Sequence, residues 1–396
     1  MKPTIYLGIG GTGNKALAYV KKQFENEYGV GKIPPEVAFI GFDFDTDMDD
    51  DSTLATDISD DFIKVDSNTN PKVTYQVQNK TGRYKWMYDA NVRAIKECIT
   101  DGAGAVRTTG RIYTDITMDT ILPRIVNVVN RIKSLDNSSD GQKGKVNIYM
   151  VMSLAGGSGA GACIPIAFAL KQQYEEEIKL YGYGVTHGVF QAMDPTGAKM
   201  PNVMYNGVAS IIDLDYLFTA SIENPIEFEL GGQIIERTSP IFNNFIVVDN
   251  KSTEGHIIGN VNALCEMLGI CLYSYGGEAG NKIEAVLNNV NQDKGDYDVK
   301  HKKGWVAGVG ACQVVYNGQL LAEVYGLNAA TALIRNLRQE GSDITATVLP
   351  WIQTVGLRED NINDENIPHD QLTDAICSPQ EFYKIESPLL DQAASD

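Results

Sequence analysis

Short apolar runs closed by glycine or acid alternate, over the first 250 residues, with segments whose apolar positions recur at helical spacing. The opening "TIYLGIGGTGNKALAYVKKQF" reads as a buried strand, a glycine turn and a helix with Ala16, Leu17 and Val20 on one face; "EVAFIGFDFD" follows as a second strand ending in acids. This β-turn-α-β start predicts an α/β fold with a doubly wound, mostly parallel sheet. Further buried strands are expected at "VNIYMV", "YGVTHGVF" and "NNFIVVDN", and a hairpin at "IEFELGGQIIERT" from its alternation and Gly-Gly pair. Helices are expected over residues 84–98, from about 115 to 134, through "IPIAFALKQQYEEE", and around 205–217. From Ser252 to Tyr275 the spacing of Ile257, Val261, Leu264, Leu268 and Cys271 or Leu272 predicts one long helix of roughly 35 Å at 1.5 Å per residue. Beyond it lie a strand, "GWVAGVGACQVVY", a helix, "LLAEVYGLNAATALIRNL", and an acidic, polar end from about Arg358 whose composition disfavours a packed core.

Composition narrows the function classes. A chain of 396 residues can bury a large core and predicts two domains or one α/β unit with an appendage. Its formal net charge of -18 and pI near 4.7 argue against nucleic acid or an anionic membrane as a direct partner, since both demand a basic face. Six scattered cysteines without a CxxC pair indicate neither a zinc site nor a disulfide framework. With no leader-like start and no apolar run near the roughly 18 residues of a membrane helix, a cytoplasmic location is expected. The acidic run "DFDTDMDDD" fails as a calcium loop, because an EF-hand counted from Asp43 would place Met48 and Leu54 where Gly and Glu are needed. The four histidines lack metal-ligand spacing, and no metal ligand is assigned.

Glycine loops carry the chemistry. Gly8 to Gly13 satisfies G-x-G-x-x-G between a strand and a helix, with Asp43 or Asp45 closing the next strand, which on its own fits a dinucleotide site and an NAD-dependent oxidoreductase. Two further loops, Gly102 to Ala105 and Ala155 to Gly161, exceed what one pyrophosphate requires. Three such loops at the carboxyl ends of parallel strands point instead to a polyphosphate cradle of backbone amides and helix N-termini.

"AGGSGAGACIPIA" resembles the glycine-rich signature of the tubulin and FtsZ superfamily, GGGTGTGAAPVVA in its cell-division member. The other segments follow in that superfamily's order. "IGGTGN" resembles its first phosphate loop, "FIGFDFD" the stretch that carries its aspartate, and "GAGAVRTTGR" the loop around the terminal phosphate. "MYNGVAS" and "VVDN" resemble the two segments whose asparagines read guanine, and "GWVAGVGACQ" a strand of its second domain.

The resemblance implies GTP/GDP and Mg2+ as ligands. Gly10, Gly11, Thr12, Gly13 and Asn14 would hold the α- and β-phosphates, Gly104 and Ala105 would approach the γ-phosphate, and Gly156, Gly157, Ser158 and Gly159 would bind through N–H groups and a hydroxyl. Asp45 would stand near the nucleotide or its magnesium, and Asn206 and Asn250 would meet the guanine edge. The implied organisation is a GTP-binding domain over 1–250, a central helix over 251–275, a smaller α+β second domain over 276–340 and a C-terminal extension over 341–396. The implied partner is a second copy of the chain, joined head to tail in a filament, with an adaptor protein as a further candidate.

One element departs from that pattern. The superfamily carries G-x-x-N-x-D-x-x-[DE] after the central helix, and its acid completes the next subunit's site. Here "GGEAGNKIEAVLNN" puts Ile283 and Val286 at the acidic positions, so Glu278 and Glu284 are the nearest candidate catalytic carboxylates. A residue one place off on a helix points about 100 degrees away. A non-polymerising GTP-binding regulatory module is therefore the alternative to a self-assembling GTPase.

Overall fold

The computed structural model describes residues 2–44, 62–64, 76–77, 79, 81–84, 103, 105–135, 145–196, 201–252, 254–276, 306–311 and 318–338. The chain divides into two units, residues 1–313 and 314–396.

The first unit is built on one parallel sheet. Strands β1 (Thr4–Ile9), β2 (Val37–Asp43), β3 (Phe62–Lys64), β4 (Val146–Ser153), β5 (Ile178–Val185), β8 (Asn244–Val248) and β9 (Val306–Ala307) lie in the order β3-β2-β1-β4-β5-β8-β9. Every neighbouring pair is parallel. Strands β1, β2 and β4 are buried at every position, as apolar runs covered on both faces must be. Alternation sorts their side chains. Ile5, Leu7 and Ile9 join Ile148, Met150 and Met152 on one face, packed against helices α2 (Arg107–Ser134) and α3 (Ser158–Tyr174). Tyr6, Tyr149 and Val151 point the other way, under α1 (Gly10–Tyr28) and α6 (Val261–Gly276).

That second face carries a row of rings. Phe39, Tyr6, Tyr149 and Tyr181 occupy matched positions on four adjacent strands and stack with centroids 5.2, 5.6 and 5.2 Å apart. The Tyr6 hydroxyl donates to the carbonyl of Leu272 at 2.9 Å, tying the row to the last turn of α6.

Between α3 and β8 the chain forms two short helices, α4 (Gly188–Met193) and α5 (Val203–Leu217), and the expected hairpin, β6 (Ile226–Leu230) with β7 (Gln233–Arg237). Its two-residue loop, Gly231 and Gly232, has φ of +59° and +83°, a pair of values that glycine adopts without strain. Arg111 and Asp115 of α2 hold the hairpin, through the Glu229 carbonyl and the Gly231 N–H.

Four expectations shift. Helix α2 begins at Arg107 instead of about residue 115, with Gly110 inside it. The Phe of "THGVF" stands in α4 and does not continue β5. The long helix starts at Val261, about 24 Å at 1.5 Å per residue, because residues 251–257 close into an antiparallel bridge and Asn260 accepts the Ala263 N–H at 2.8 Å as its N-cap. Val306–Ala307 of "GWVAGVGACQ" forms an edge strand beside β8. In the second unit the described element is α7 (Gly318–Arg338). No helix among the described residues is long and apolar enough to cross a membrane.

Candidate functional site: a cleft between two helix N-termini

Strands β1 and β4 are paired through Ile9 and Met152 at their carboxyl ends. From β1 the chain crosses to β2 on one side, and from β4 to β5 on the other. The crevice above that switch point is where open α/β sheets bind ligands. A cleft of about 120 Å³ lies there, lined by Ile9, Gly10, Gly11, Thr12, Ser153, Gly156, Gly157, Ser158, Gly159 and Phe190. Among the described residues, those that line it are uncharged.

Helices α1 and α3 both begin at this cleft, and neither has a side chain capping its N-terminus or an acidic residue in its first turn. Their first N–H groups are therefore donors without an intrahelical acceptor, at the positive ends of two helix dipoles. The two starts nearly touch. Gly10 has φ of +73°, and a Cβ there would lie 3.1 Å from the Gly159 nitrogen.

The loop glycines have two distinct roles. At Gly11 an added Cβ would meet only an Asp43 oxygen at 3.9 Å, and at Gly156 only Ser153 atoms at 3.9 Å, so both leave the backbone open to the cleft. Gly13 is different. Its Cβ would stand 2.2 Å from the Val151 carbonyl oxygen, so it lets α1 press onto β4. Gly157 and Gly159 are likewise closed by protein, with Ala103 Cβ at 2.6 Å and the Ser153 carbonyl at 2.7 Å.

Polar side chains hold the loops in place. The Ser153 hydroxyl accepts the N–H groups of Ala155 and Gly156 at 3.1 and 3.2 Å. Asn14, buried, donates to the Phe42 carbonyl at 3.2 Å and accepts the Phe42 N–H at 3.3 Å, joining α1 to β2. Asn206 of α5 donates to the carbonyls of Ala105 at 2.7 Å and Ala155 at 3.0 Å, so one amide joins two glycine loops; Ala105 itself has φ of +54°. Asn250 donates to the Ile258 carbonyl at 3.4 Å. Asp43, buried at the end of β2, accepts the Phe44 N–H at 2.7 Å.

The structure thus gathers Gly10, Gly11, Thr12, Gly156, Gly157, Ser158 and Gly159 around one cleft, and places Gly13, Asn14 and Asn206 immediately behind it as packing and positioning residues. Asp45, Gly104, Glu278 and Glu284 lie outside the described residues. Sequence reasoning missed Ser153 and Phe190. Ser153 had a signal, a hydroxyl at the strand end where a turn needs an acceptor; Phe190 had none, since its segment reads as strand.

The arrangement can bind an anion through main-chain donors. Covalent thiol chemistry is disfavoured: burial pushes Cys163 up to about 11 and Cys265 up to about 12, so both stay protonated at neutral pH.

Residues 5–325 match the family model described as "Tubulin like". No curated protein matches the chain. Among solved structures the chain is similar to CetZ1 from Haloferax volcanii, described as a GDP-bound monomer, at 17% identity and a TM-score of 0.41 over 72% of this chain and 64% of that one. CetZ2 from Haloferax volcanii, described as a GTPγS-bound protofilament, gives 15% and 0.37 over 70% and 60%. CetZ from Methanosaeta thermophila strain DSM 6194 gives 16% and 0.38 over 69% and 54%. The chain therefore spans less than two thirds of the length of each of these structures. With most of its sequence matched by the family model, the chain belongs to the tubulin-like family.

Proposed function

We propose that the cleft binds the phosphates of GTP or GDP, and that the protein is a cytoskeletal GTP-binding protein of the cytoplasm that assembles head to tail. The observation that carries this reading is the meeting of two uncapped, acid-free helix N-termini over glycine backbone that stands open at Gly11 and Gly156. An anion there satisfies orphan N–H groups that water otherwise serves. Thr12, Ser153 and Ser158 add hydroxyls to the same cleft. Mg2+ would be held by Asp43, which faces Gly11, and by Asp45, which follows it in sequence, and would neutralise phosphate charge beside a described lining that carries no cation.

The amide nitrogens of Asn206 and Asn250 donate within the chain, which leaves each side chain its oxygen as an acceptor. Acceptors suit the N1–H and N2–H2 donors of guanine, whereas adenine presents an acceptor at N1. Hydrolysis is assigned to the carboxylate of Glu284 or Glu278 supplied by a neighbouring subunit.

Identification of the co-purified nucleotide, followed by GTP turnover, light scattering and electron microscopy against protein concentration, tests the reading. Bound guanine nucleotide, filaments with GTP, and turnover that rises steeply with concentration and falls in Glu284→Ala are expected. A chain without guanine nucleotide, or one monomeric at high concentration with every nucleotide, overturns the corresponding half; tight GTP binding without assembly returns the regulatory module, and bound NAD the oxidoreductase.

A further inference from the structure

Helices α2 and α3 are joined at their first turns and bridged by a third element, the hairpin β6–β7. A Cβ at Gly110 of α2 would lie 2.2 Å from the carbonyl oxygen of Gly157, a residue that lines the cleft. A Cβ at Gly161 of α3 would lie 2.5 Å from both the Arg107 carbonyl oxygen and the Arg111 nitrogen. Cleft wall and α2 thus meet backbone to backbone, with no flexible side chain between them to absorb a displacement.

Four residues into α2, about 6 Å along its axis, Arg111 reaches the hairpin. Its guanidinium lies over the Phe228 ring of β6, 4.1 Å from the centroid, and donates to the Glu229 carbonyl. The same ring stacks on Phe168 of α3, with centroids 4.2 Å apart and planes 10° from parallel. One turn further along α2, Asp115 accepts the Gly231 N–H at 2.7 Å. The hairpin therefore holds α2 through Arg111 and Asp115, and α3 through Phe168.

Little of its order is its own. Two strands alone are marginal in water, and this pair sets exposed Glu227 directly opposite exposed Glu236, like charges that repel. Its conformation follows from where α2 and α3 stand, and both helices meet at the Gly157 wall of the cleft.

We propose that β6–β7 is a lever coupled to the cleft, with Arg111, Asp115 and Phe228 as positioning residues for the bound phosphates; this rests on the phosphate reading of the cleft. An anion that pins the N–H groups at the start of α3 holds the Gly157 carbonyl against α2, and with it the spacing that Phe228 bridges. Such coupling is reciprocal. Loosening the hairpin lowers nucleotide affinity, and anything that clamps its outer face, where Ile234 is 68% exposed, raises it.

Titration of the full chain with a fluorescent GDP derivative tests it, each variant being shown folded by circular dichroism. Asp115→Ala, which removes the acceptor of the Gly231 N–H, is expected to weaken binding at least fivefold, and Asp115→Asn, which keeps a side-chain oxygen there, to restore it. Tyr174→Phe is the control for general softening, since that hydroxyl ties the far end of α3 to Val126 and Asn130 of α2; its affinity is expected to equal that of the wild type. By hydrogen exchange, the amides of residues 226–237 are expected to exchange at least tenfold more slowly with GDP bound than without it, and this slowing is expected to vanish in Asp115→Ala. Unchanged affinity in Asp115→Ala, no rescue by Asp115→Asn, an equal loss in Tyr174→Phe, or hairpin exchange indifferent to GDP overturns the lever and leaves the phosphate reading standing. A wild type that binds no guanine nucleotide overturns both.

Discussion

At the residue scale, neighbouring glycines of one loop separate binding from stability. Gly11 sits in a helix with a negative φ and open space, so Gly11→Ala should stabilise the fold by about 0.5–1 kcal/mol through lower unfolded-state entropy. The same methyl group stands where a phosphate would approach. Nucleotide affinity is expected to fall at least tenfold, read by titration calorimetry alongside urea unfolding. Gly13→Ala should do the reverse. Its methyl meets the Val151 carbonyl, and forcing α1 off β4 costs about 3 kcal/mol, visible as a lower urea midpoint before any ligand is added. Asn14→Ala strands the Phe42 N–H and carbonyl in a buried place and should cost about 2–3 kcal/mol. The sequence announced these three as equals, as members of one phosphate loop. Their difference lies in which atoms face them from β2 and β4, and a string of letters does not record that.

At the element scale, the end of α6 is set by a contact between distant residues. Gly276 lies so close to Tyr6 that a Cβ there would stand 1.9 Å from its hydroxyl oxygen, while that hydroxyl serves the Leu272 carbonyl. Tyr6→Phe should cost about 1–2 kcal/mol by leaving that carbonyl without its donor. Gly276→Ala should cost more, and the double variant less than the sum, because removing the hydroxyl relieves the clash; a double-mutant cycle by chemical denaturation measures the coupling. Element type was legible wherever the period was long and clean, as in β1, β4, α3 and the hairpin with its Gly231-Gly232 turn. Element ends were not. Gly110 reads as a helix breaker, yet its Cβ would lie 2.2 Å from the Gly157 carbonyl, so it sits inside α2 for close contact with the loop before α3. The start of α6 did have a local sign in Asn260, three residues before the alanine of the apolar run "NALCEML", which the wider periodicity from Ile257 outweighed.

At the scale of the whole molecule, the tyrosines behind the sheet set the alkaline limit. Burial raises Tyr6 and Tyr183 well above the ordinary tyrosine range, and Tyr275 up to about 12. A raised folded-state value means stability that is complete below the ordinary pKa near 10 and lost as pH climbs through the folded values, since only the unfolded chain ionises in between. Tyrosinate absorbance for these residues should therefore appear together with loss of far-UV circular dichroism, and not before it. The α/β class was legible from the β-turn-α-β start, and the family from several short segments that stand in that family's order. The order of the seven described strands was not, since it depends on pairings between strands remote in the chain. That remoteness has its own consequence during synthesis. Thr4 is bracketed by Val37 and Asn147, so β1, apolar at nearly every position, must wait for about 150 residues to emerge before its second neighbour exists. At 5–20 residues per second, that is roughly 10–30 s on the ribosome with one edge of a sticky strand unpaired, a window in which the nascent chain is a natural client for a chaperone.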